Sequence, residues 1–231
     1  RARGGERIKM CTDNYWIGSA RSFHAEYITR EGVQEFEAPI WINGHDMLYF
    51  IPEGVEVLEL KYRESGYDVD FEALCEQGRD FCNKIWEKAK RTLYVNMRDT
   101  YMDCPGRERS QWWGDIVIEL GQSAYVFDER AHLLTRKGIY ELMMHQREDG
   151  TIYSPIPGWY SRELPCQMLA AVGHYGFANY HMITGDTETI DAVYDRTKRY
   201  IFGVWKLTTA DNVPTNSDLV EMRKGGWLWG D

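Results

Sequence analysis

The chain has 231 residues, 43% of them apolar, enough to bury a sizeable core in one or two domains. Its 27 basic against 36 acidic residues leave a net charge of -9, which argues against nucleic acid or an anionic membrane surface as partner. Five cysteines without a CxxC pair, Cys75 and Cys82 lying seven apart, argue against a disulfide framework or a metal site, and no cofactor is expected.

No signal-peptide pattern opens the chain, because Arg1-Ala2-Arg3-Gly4-Gly5-Glu6-Arg7 is followed by no apolar run. Beginning without Met and in mid-pattern, the chain is expected to have lost its own start. Residues 21 to 70 read as strands. Phe23, Ala25 and Tyr27 alternate with polar partners, as do Val55, Val57, Leu60 and Tyr62, with breaks at Glu31-Gly32, Asn43-Gly44-His45 and Pro52-Glu53-Gly54. Such short strands suggest a β-sandwich, but too few for a closed one, so residues 1–74 are expected to be the C-terminal part of a β-sandwich domain. His24 and His45 are read as hydrogen-bonded residues beside strands rather than ligands.

From about Cys75 the period changes. Phe81, Ile85, Ala89, Leu93 and Met97 recur every four residues with Lys84, Lys88 and Arg91 on other faces, which predicts an amphipathic helix with one wet side. It ends before Asp103-Cys104-Pro105-Gly106-Arg107-Glu108-Arg109-Ser110-Gln111-Trp112-Trp113-Gly114-Asp115. Three carboxylates, two arginines and two adjacent tryptophans fall within these thirteen residues, a mixture that suits a sugar. Aromatic faces pack on the C–H face of a pyranose, carboxylates and guanidinium groups take its hydroxyls, and a spare carboxyl can act as a general acid. The bland alternative is a helix start with solvated charges and two core tryptophans. Pro105 and Gly106 preclude a regular helix, so Asp103, Arg107 and Glu108 are expected on a loop leading into a helix from near Trp112, with Asp115 in its first turn.

Between Ile116 and Phe127 the only charge is Glu119, which predicts a helix buried all round. Residues 130 to 148 are amphipathic again, closed by Asp149-Gly150. The loop from Gly150 to Glu163 carries Tyr153, Pro155, Pro157, Gly158, Trp159 and Tyr160. It runs from an outer helix into an inner one, as the Asp103–Asp115 stretch does, so both are expected at the same end and Trp159 is a candidate sugar platform or a rim aromatic. Glu163, directly before Leu164-Pro165, reads as a helix cap. Leu164 to Gly185 then runs for 22 residues without Asp, Glu, Lys or Arg. Pro165, Gln167, His174, Asn179 and His181 disfavour a membrane span there, leaving a buried helix. Asp186 or Thr187 caps the next one, with Ile190, Val193, Tyr194 and Ile201 inward.

Wet, buried, wet, buried, wet is the alternation of outer and inner helices in an α/α toroid. The expected fold is therefore mainly α: a partial (α/α)6 toroid over residues 75–231, preceded by β-sandwich strands. Twelve helices with their loops need on the order of 280 residues, whereas 157 run from Cys75 to Asp231, so the ring is expected to be incomplete. Trp227-Leu228-Trp229-Gly230-Asp231 echoes Trp112-Trp113-Gly114-Asp115 and makes Trp229 a further candidate.

The Asp103–Asp115 stretch resembles the signature of the bacterial α-L-rhamnosidases, family 78 of the glycoside hydrolases, spelled Asp-Cys-Pro-x-Arg-(Asp)-Glu-Arg and then Gly/Gln-Trp-x-Gly-Asp. Asp103, Cys104, Pro105, Arg107, Glu108, Arg109, Trp112, Gly114 and Asp115 agree at fixed spacing. The optional Asp between Arg and Glu is absent, and Gln111 stands where Gly is common. The resemblance implies a six-hairpin barrel and hydrolysis of terminal α-L-rhamnosides with inversion. It implies Glu108 as proton donor, Asp103, Arg107 and Asp115 as ligands of sugar hydroxyls, and Trp112 lining the pocket, with Trp159 and Trp229 added as substrate-binding candidates.

In that family the general base is a glutamate late in the barrel, beyond Asp231, so this chain alone is expected to be inactive. Another exo-glycosidase on the same toroid, such as an uronyl hydrolase, and a non-catalytic carbohydrate-binding relative remain open. The expected partner is a rhamnose-containing glycoside or polysaccharide, with no nucleic acid and no membrane insertion. A periplasmic or secreted location is expected ahead of a cytoplasmic one.

Overall fold

The structure, a computed structural model, describes residues 1–13, 24–72, 79–158 and 162–205. Its internal contacts separate a unit of Arg1–Ser65 with Pro105–Arg107 from a unit of Gly66–Cys104 with Glu108–Asp231.

The first unit holds a three-stranded antiparallel sheet. β1 (Arg7–Thr12) lies between β2 (His24–Ile28) and β3 (Met47–Phe50). Lys9 stands opposite Glu26, a cross-strand pairing of opposite charges that favours this register. β1 lies outside the stretch read as strands, because its Arg7 and Lys9 blur the alternation. Phe23 lies outside the described residues. The strand expected over residues 55–62 does not form: Val57, Leu58, Leu60 and Tyr62 are all exposed. Alternation makes a strand only where one face meets a core, and here both face water. His45 is exposed, with its backbone N–H donating to Asp13 Oδ1 at 2.9 Å and its Nδ1 3.3 Å from Asp13 Oδ2.

The second unit is helical. α1 (Asp80–Val95), α2 (Trp113–Val126) and α3 (Arg130–Met144) are followed by α4 (Pro165–Val172), a π-helical turn (His174–Ala178), α5 (Asn179–Thr184), α6 (Thr187–Lys198) and a second π-helical turn (Arg199–Val204). α3 is the plainest case of pattern becoming packing. Ala131, Leu134, Thr135, Gly138, Ile139, Leu142 and Met143 are its buried residues, the three-and-four spacing of one helix face. They meet Met97, Tyr101, Trp113, Ile116 and Leu120 in the core. Tyr101 is fully buried, and its hydroxyl is held by Ser123 Oγ at 2.9 Å and Thr135 Oγ1 at 3.2 Å. Asp186 caps α6 as expected, its Oδ1 accepting from Thr189 N at 2.9 Å.

Several helical stretches differ from the sequence reading. In α1, Phe81 and Ile85 are exposed while Lys90 and Leu93 are buried. A strict four-residue repeat advances about 40° per step around the helix, so a row that is inward at Leu93 has rotated about 120° away by Phe81. Lys90 keeps its ammonium group 2.7 Å from Glu87 while its stem is covered.

α2 carries an exposed stripe of Asp115, Ile118, Gln122 and Tyr125, with Ile118 59% and Tyr125 78% accessible, the apolar exposure expected of an inner helix in an incomplete ring. The apolar stretch from Leu164 to Gly185 is not one helix. It breaks at Gly173 into α4, a π turn and α5, leaving Tyr175 and Met182 exposed. Gly173 leaves the helical region with ψ -145°, and a side chain there would press on the Leu169 carbonyl, so the break needs glycine. Tyr194, read as inward, is exposed on α6. No helix among the described residues is long and apolar enough to cross a membrane.

Candidate carbohydrate site at the start of α2

The loop before α2 is closed on itself by Asp103 and Ser110. Asp103 N donates to the Ser110 carbonyl at 3.0 Å, and Ser110 N donates to Asp103 Oδ1 at 2.9 Å. Inside that ring Glu108 N donates to Cys104 Sγ at 3.4 Å, and Ser110 Oγ donates to the Glu108 carbonyl at 3.0 Å. Arg109 takes a left-handed backbone, φ 53°, a conformation that a non-glycine residue seldom adopts and that turns the chain back toward α2. Burial lowers its guanidinium to about 10; the Cys104 thiol opposes that fall and the Arg98 cation adds to it.

Trp112 is the N-cap of α2 and Asp115 lies in its first turn, as the sequence predicts. The two tryptophans separate in role. Trp113 is fully buried, edge-on to Phe177 with ring centroids 6.0 Å apart, whereas Trp112 is half-buried. Gly114 is required by a close approach. A Cβ there would lie 2.6 Å from Gln167 Cδ, and its N–H donates to Gln167 Oε1 at 3.3 Å.

Asp103 and Glu108 are half-buried and Asp115 is exposed. Desolvation raises the Asp115 pKa first, and the carboxylates of Asp103 and then Glu108 raise it further. Asp103 and Glu108 thus lie in the electrostatic neighbourhood of Asp115, whose carboxyl retains a proton more readily than an isolated aspartate does. Arg107 is exposed and lies on the 105–107 turn, which groups with the first unit. Trp159 and Trp229 lie outside the described residues. No group of three or more His, Cys, Asp or Glu side chains among the described residues is placed to hold a metal ion.

The loop that carries Trp159 is stitched to this site. Ser154 Oγ accepts from Trp113 N at 3.0 Å and donates to the Gln111 carbonyl at 3.1 Å. Gln111, only 1% exposed, donates through Nε2 to the Ile156 carbonyl at 2.5 Å and to Glu141 Oε2 on α3 at 3.0 Å. Glu163 does not cap α4, as had been expected. It pairs with Arg147 at 2.8 Å, and Leu164 takes the N-cap position with φ 42° and no side-chain cap bond.

Sequence reasoning passed over Glu119 and Asn96. Glu119, four residues after Asp115, is 8% exposed, and burial pushes its carboxyl up to about 8; the Asn96 hydrogen bond opposes that rise, and Asp115 and Asp103 add to it. The signal was its isolation as the only charge in an apolar stretch.

Residues 73–230 match the bacterial alpha-L-rhamnosidase 6 hairpin glycosidase domain. Two solved structures share the fold. One is the α-L-rhamnosidase from Dictyoglumus thermophilum, 21% identical with a TM-score of 0.66, over 89% of this chain and 24% of that one. The other is the GH78 family rhamnosidase of Bacillus sp. GL1, 19% identical with a TM-score of 0.74, over 100% of this chain and 24% of that one. The chain therefore spans about a quarter of the length of these structures. No curated protein matches it. With the signature loop leading into α2 and the domain match covering more than half of its length, the chain belongs to the bacterial α-L-rhamnosidase six-hairpin glycosidase family.

Proposed function

We propose that the intact protein removes terminal α-L-rhamnose from glycosides or polysaccharides by inverting hydrolysis. The observation that carries this reading is the nine-position signature, held on a loop closed by Asp103 and Ser110 that leads into α2, in a chain matched over residues 73–230 to the rhamnosidase six-hairpin domain. Glu108 is the proton donor to the glycosidic oxygen. Asp103, Arg107 and Asp115 accept or donate hydrogen bonds to the sugar hydroxyls, and the half-buried Trp112 packs on the ring face, with Trp159 and Trp229 as further aromatic candidates. Inversion needs a second carboxylate, ~6.5 to 9.5 Å from the acid, to activate water on the opposite face of the sugar. That role is assigned to no residue of this chain. The ligand is uncharged, in keeping with a net charge of -9 and a site that gathers acidic groups. A periplasmic or secreted location is part of the same proposal.

Incubating the intact protein with an aryl α-L-rhamnoside and following the anomeric proton by NMR tests the reading. Release of β-rhamnose first supports it. Hydrolysis of an unsaturated uronide instead, or rhamnose binding without turnover, would replace it with another exo-glycosidase or a binding protein on the same fold.

A further inference from the structure

Glu119 and Asn96 form a pair that is half complete. Asn96 is the C-cap residue of α1, and Glu119 lies one helical turn beyond Asp115 on α2. Each is 8% exposed. Asn96 Nδ2 donates to Glu119 Oε1 at 3.4 Å. The remaining heteroatoms, Glu119 Oε2 and Asn96 Oδ1, are both buried and have no hydrogen-bond partner among the described residues.

An ionised carboxylate only accepts hydrogen bonds, and so does an amide oxygen, so neither orphan atom can satisfy the other while Glu119 is charged. One proton resolves both. A carboxylic acid carries an O–H donor, and the Asn96 oxygen is an acceptor held against the same side chain. The groups facing Glu119 point the same way. Asp115 from its own helix and Asp103 from the signature loop both oppose a further negative charge, and burial opposes it more strongly still. The Tyr101 hydroxyl, whose own proton affinity Glu119 raises, is the other titratable neighbour.

We propose that Glu119 is a positioning residue: a neutral carboxylic acid joined to Asn96 by two reciprocal hydrogen bonds, pinning α2 to the end of α1 one turn behind Asp115. Its consequence for turnover rests on the glycosidase reading above, whereas the pair itself does not. Ionising Glu119 breaks the returned bond and sets an anion behind Asp115, loosening the turn that presents Asp115 to the sugar. The folded chain also keeps a proton that the unfolded chain releases above the ordinary glutamate value of 4.5, so stability falls as pH rises from there to about 8.

The test uses the intact protein and the variants Glu119→Gln and Glu119→Ala, followed from about pH 6 to about pH 9, across the value near 8. Glutamine reproduces both hydrogen bonds without a titrating proton. Glu119→Gln is expected to keep KM within about twofold of wild type at neutral pH and to lose the rise of about tenfold in KM that wild type shows on the alkaline side. Its thermal midpoint should also lose the downward slope with pH. Isotope-edited infrared spectra of wild type should contain a protonated carboxylic-acid band at neutral pH that disappears in Glu119→Gln. Glu119→Ala should raise KM at every pH.

A loss of about 100-fold in kcat in Glu119→Gln would overturn the proposal, because it would mark a carboxyl that takes part in the chemistry as acid or base rather than one that positions α2. An unchanged pH profile, or an infrared spectrum with no protonated band, would overturn it as well. If no rhamnoside is hydrolysed, the thermal slope and the infrared band still decide the pairing, so its failure is distinct from failure of the glycosidase reading.

Discussion

Asp103 and Ser110 hold the signature loop shut through two hydrogen bonds, and one of them uses a carboxylate oxygen of a proposed sugar ligand. The side chain therefore has two tasks that different substitutions separate. Asn in place of Asp103 retains an oxygen to accept from Ser110 N but removes the charge, whereas Ala removes both. Asp103→Asn is expected to weaken rhamnose binding about tenfold and to lose about 1 kcal/mol of stability, since Ser110 N then donates to a neutral acceptor. Asp103→Ala should lose more, about 1.5–3 kcal/mol of stability, the worth of a hydrogen bond to a charged acceptor. Calorimetric titration with rhamnose and thermal melts of both variants measure the two effects, and neither should depend on added calcium or zinc. Equal melting losses in both variants would mean that the loop does not need the Asp103 oxygen.

Glu108 is tested through the leaving group. A general acid matters most where the departing alcohol is a poor leaving group, so Glu108→Gln should lower kcat/KM by about 100-fold or more on a natural rhamnoside and far less on a nitrophenyl rhamnoside. Equal losses on both substrates, with an unchanged melting curve, would give Glu108 a positioning role instead.

Arg130 secures the 66–72 segment to the first turn of α3. It reaches Asp68 at 3.0 Å, Asp70 at 2.6 Å and Asp128 at 2.5 Å, and its carbonyl accepts from the Tyr67 hydroxyl at 3.1 Å. The Arg130 hydrogen bond holds the Asp128 carboxyl below the usual aspartate range. A depressed carboxyl contributes stability that is present above its unfolded pKa and is lost as pH falls through the folded one. Arg130→Met should lower the thermal midpoint by a few degrees at neutral pH. The gap from wild type should close in acid as Asp128 protonates. A gap that is constant with pH would place the contribution in packing of the arginine stem rather than in its charge.

The functional loop was more legible in the sequence than the helices around it. Pro105-Gly106 forbids a helix, and the nine-position spelling fixes where α2 begins. What failed was the assignment of faces. The exposed stripe of α2 is marked in the sequence only by Asp115 and Gln122, while Ile118 and Tyr125 on the same stripe are apolar and blur it. The strict four-residue row of α1 misled for the opposite reason, since it slides around the helix. Glu119 was visible as an isolated charge, but its partner Asn96 sits 23 positions away, and only tertiary structure joins them. Gln111 looked like a mere departure from the signature, and its three-way position between α3, Ile156 and Ser154 has no mark in the sequence.

That position of Gln111 leads to the last prediction. Gly138 lies on the buried face of α3, and a Cβ there would sit 2.9 Å from Gln111 Oε1. The Gln111 side chain also bonds to Glu141 and to the Ile156 carbonyl, so it has little room to move aside. Gly138→Ala should therefore destabilise by about 1–3 kcal/mol, the range for overpacking a filled core, although alanine is the better helix former. Because Gln111 leads into Trp112, kcat/KM should fall as well. Gln111→Ala removes the obstructing atom and loses its two hydrogen bonds, so on its own it also destabilises. Combined, the two changes should be less harmful than their sum, because alanine at 138 then occupies space that Gln111 has vacated. Denaturant midpoints of the single and double variants give the interaction energy, expected at about 1 kcal/mol or more in favour of the pair. Losses that add to within about 0.5 kcal/mol would show that Gly138 is required for some reason other than the approach of Gln111.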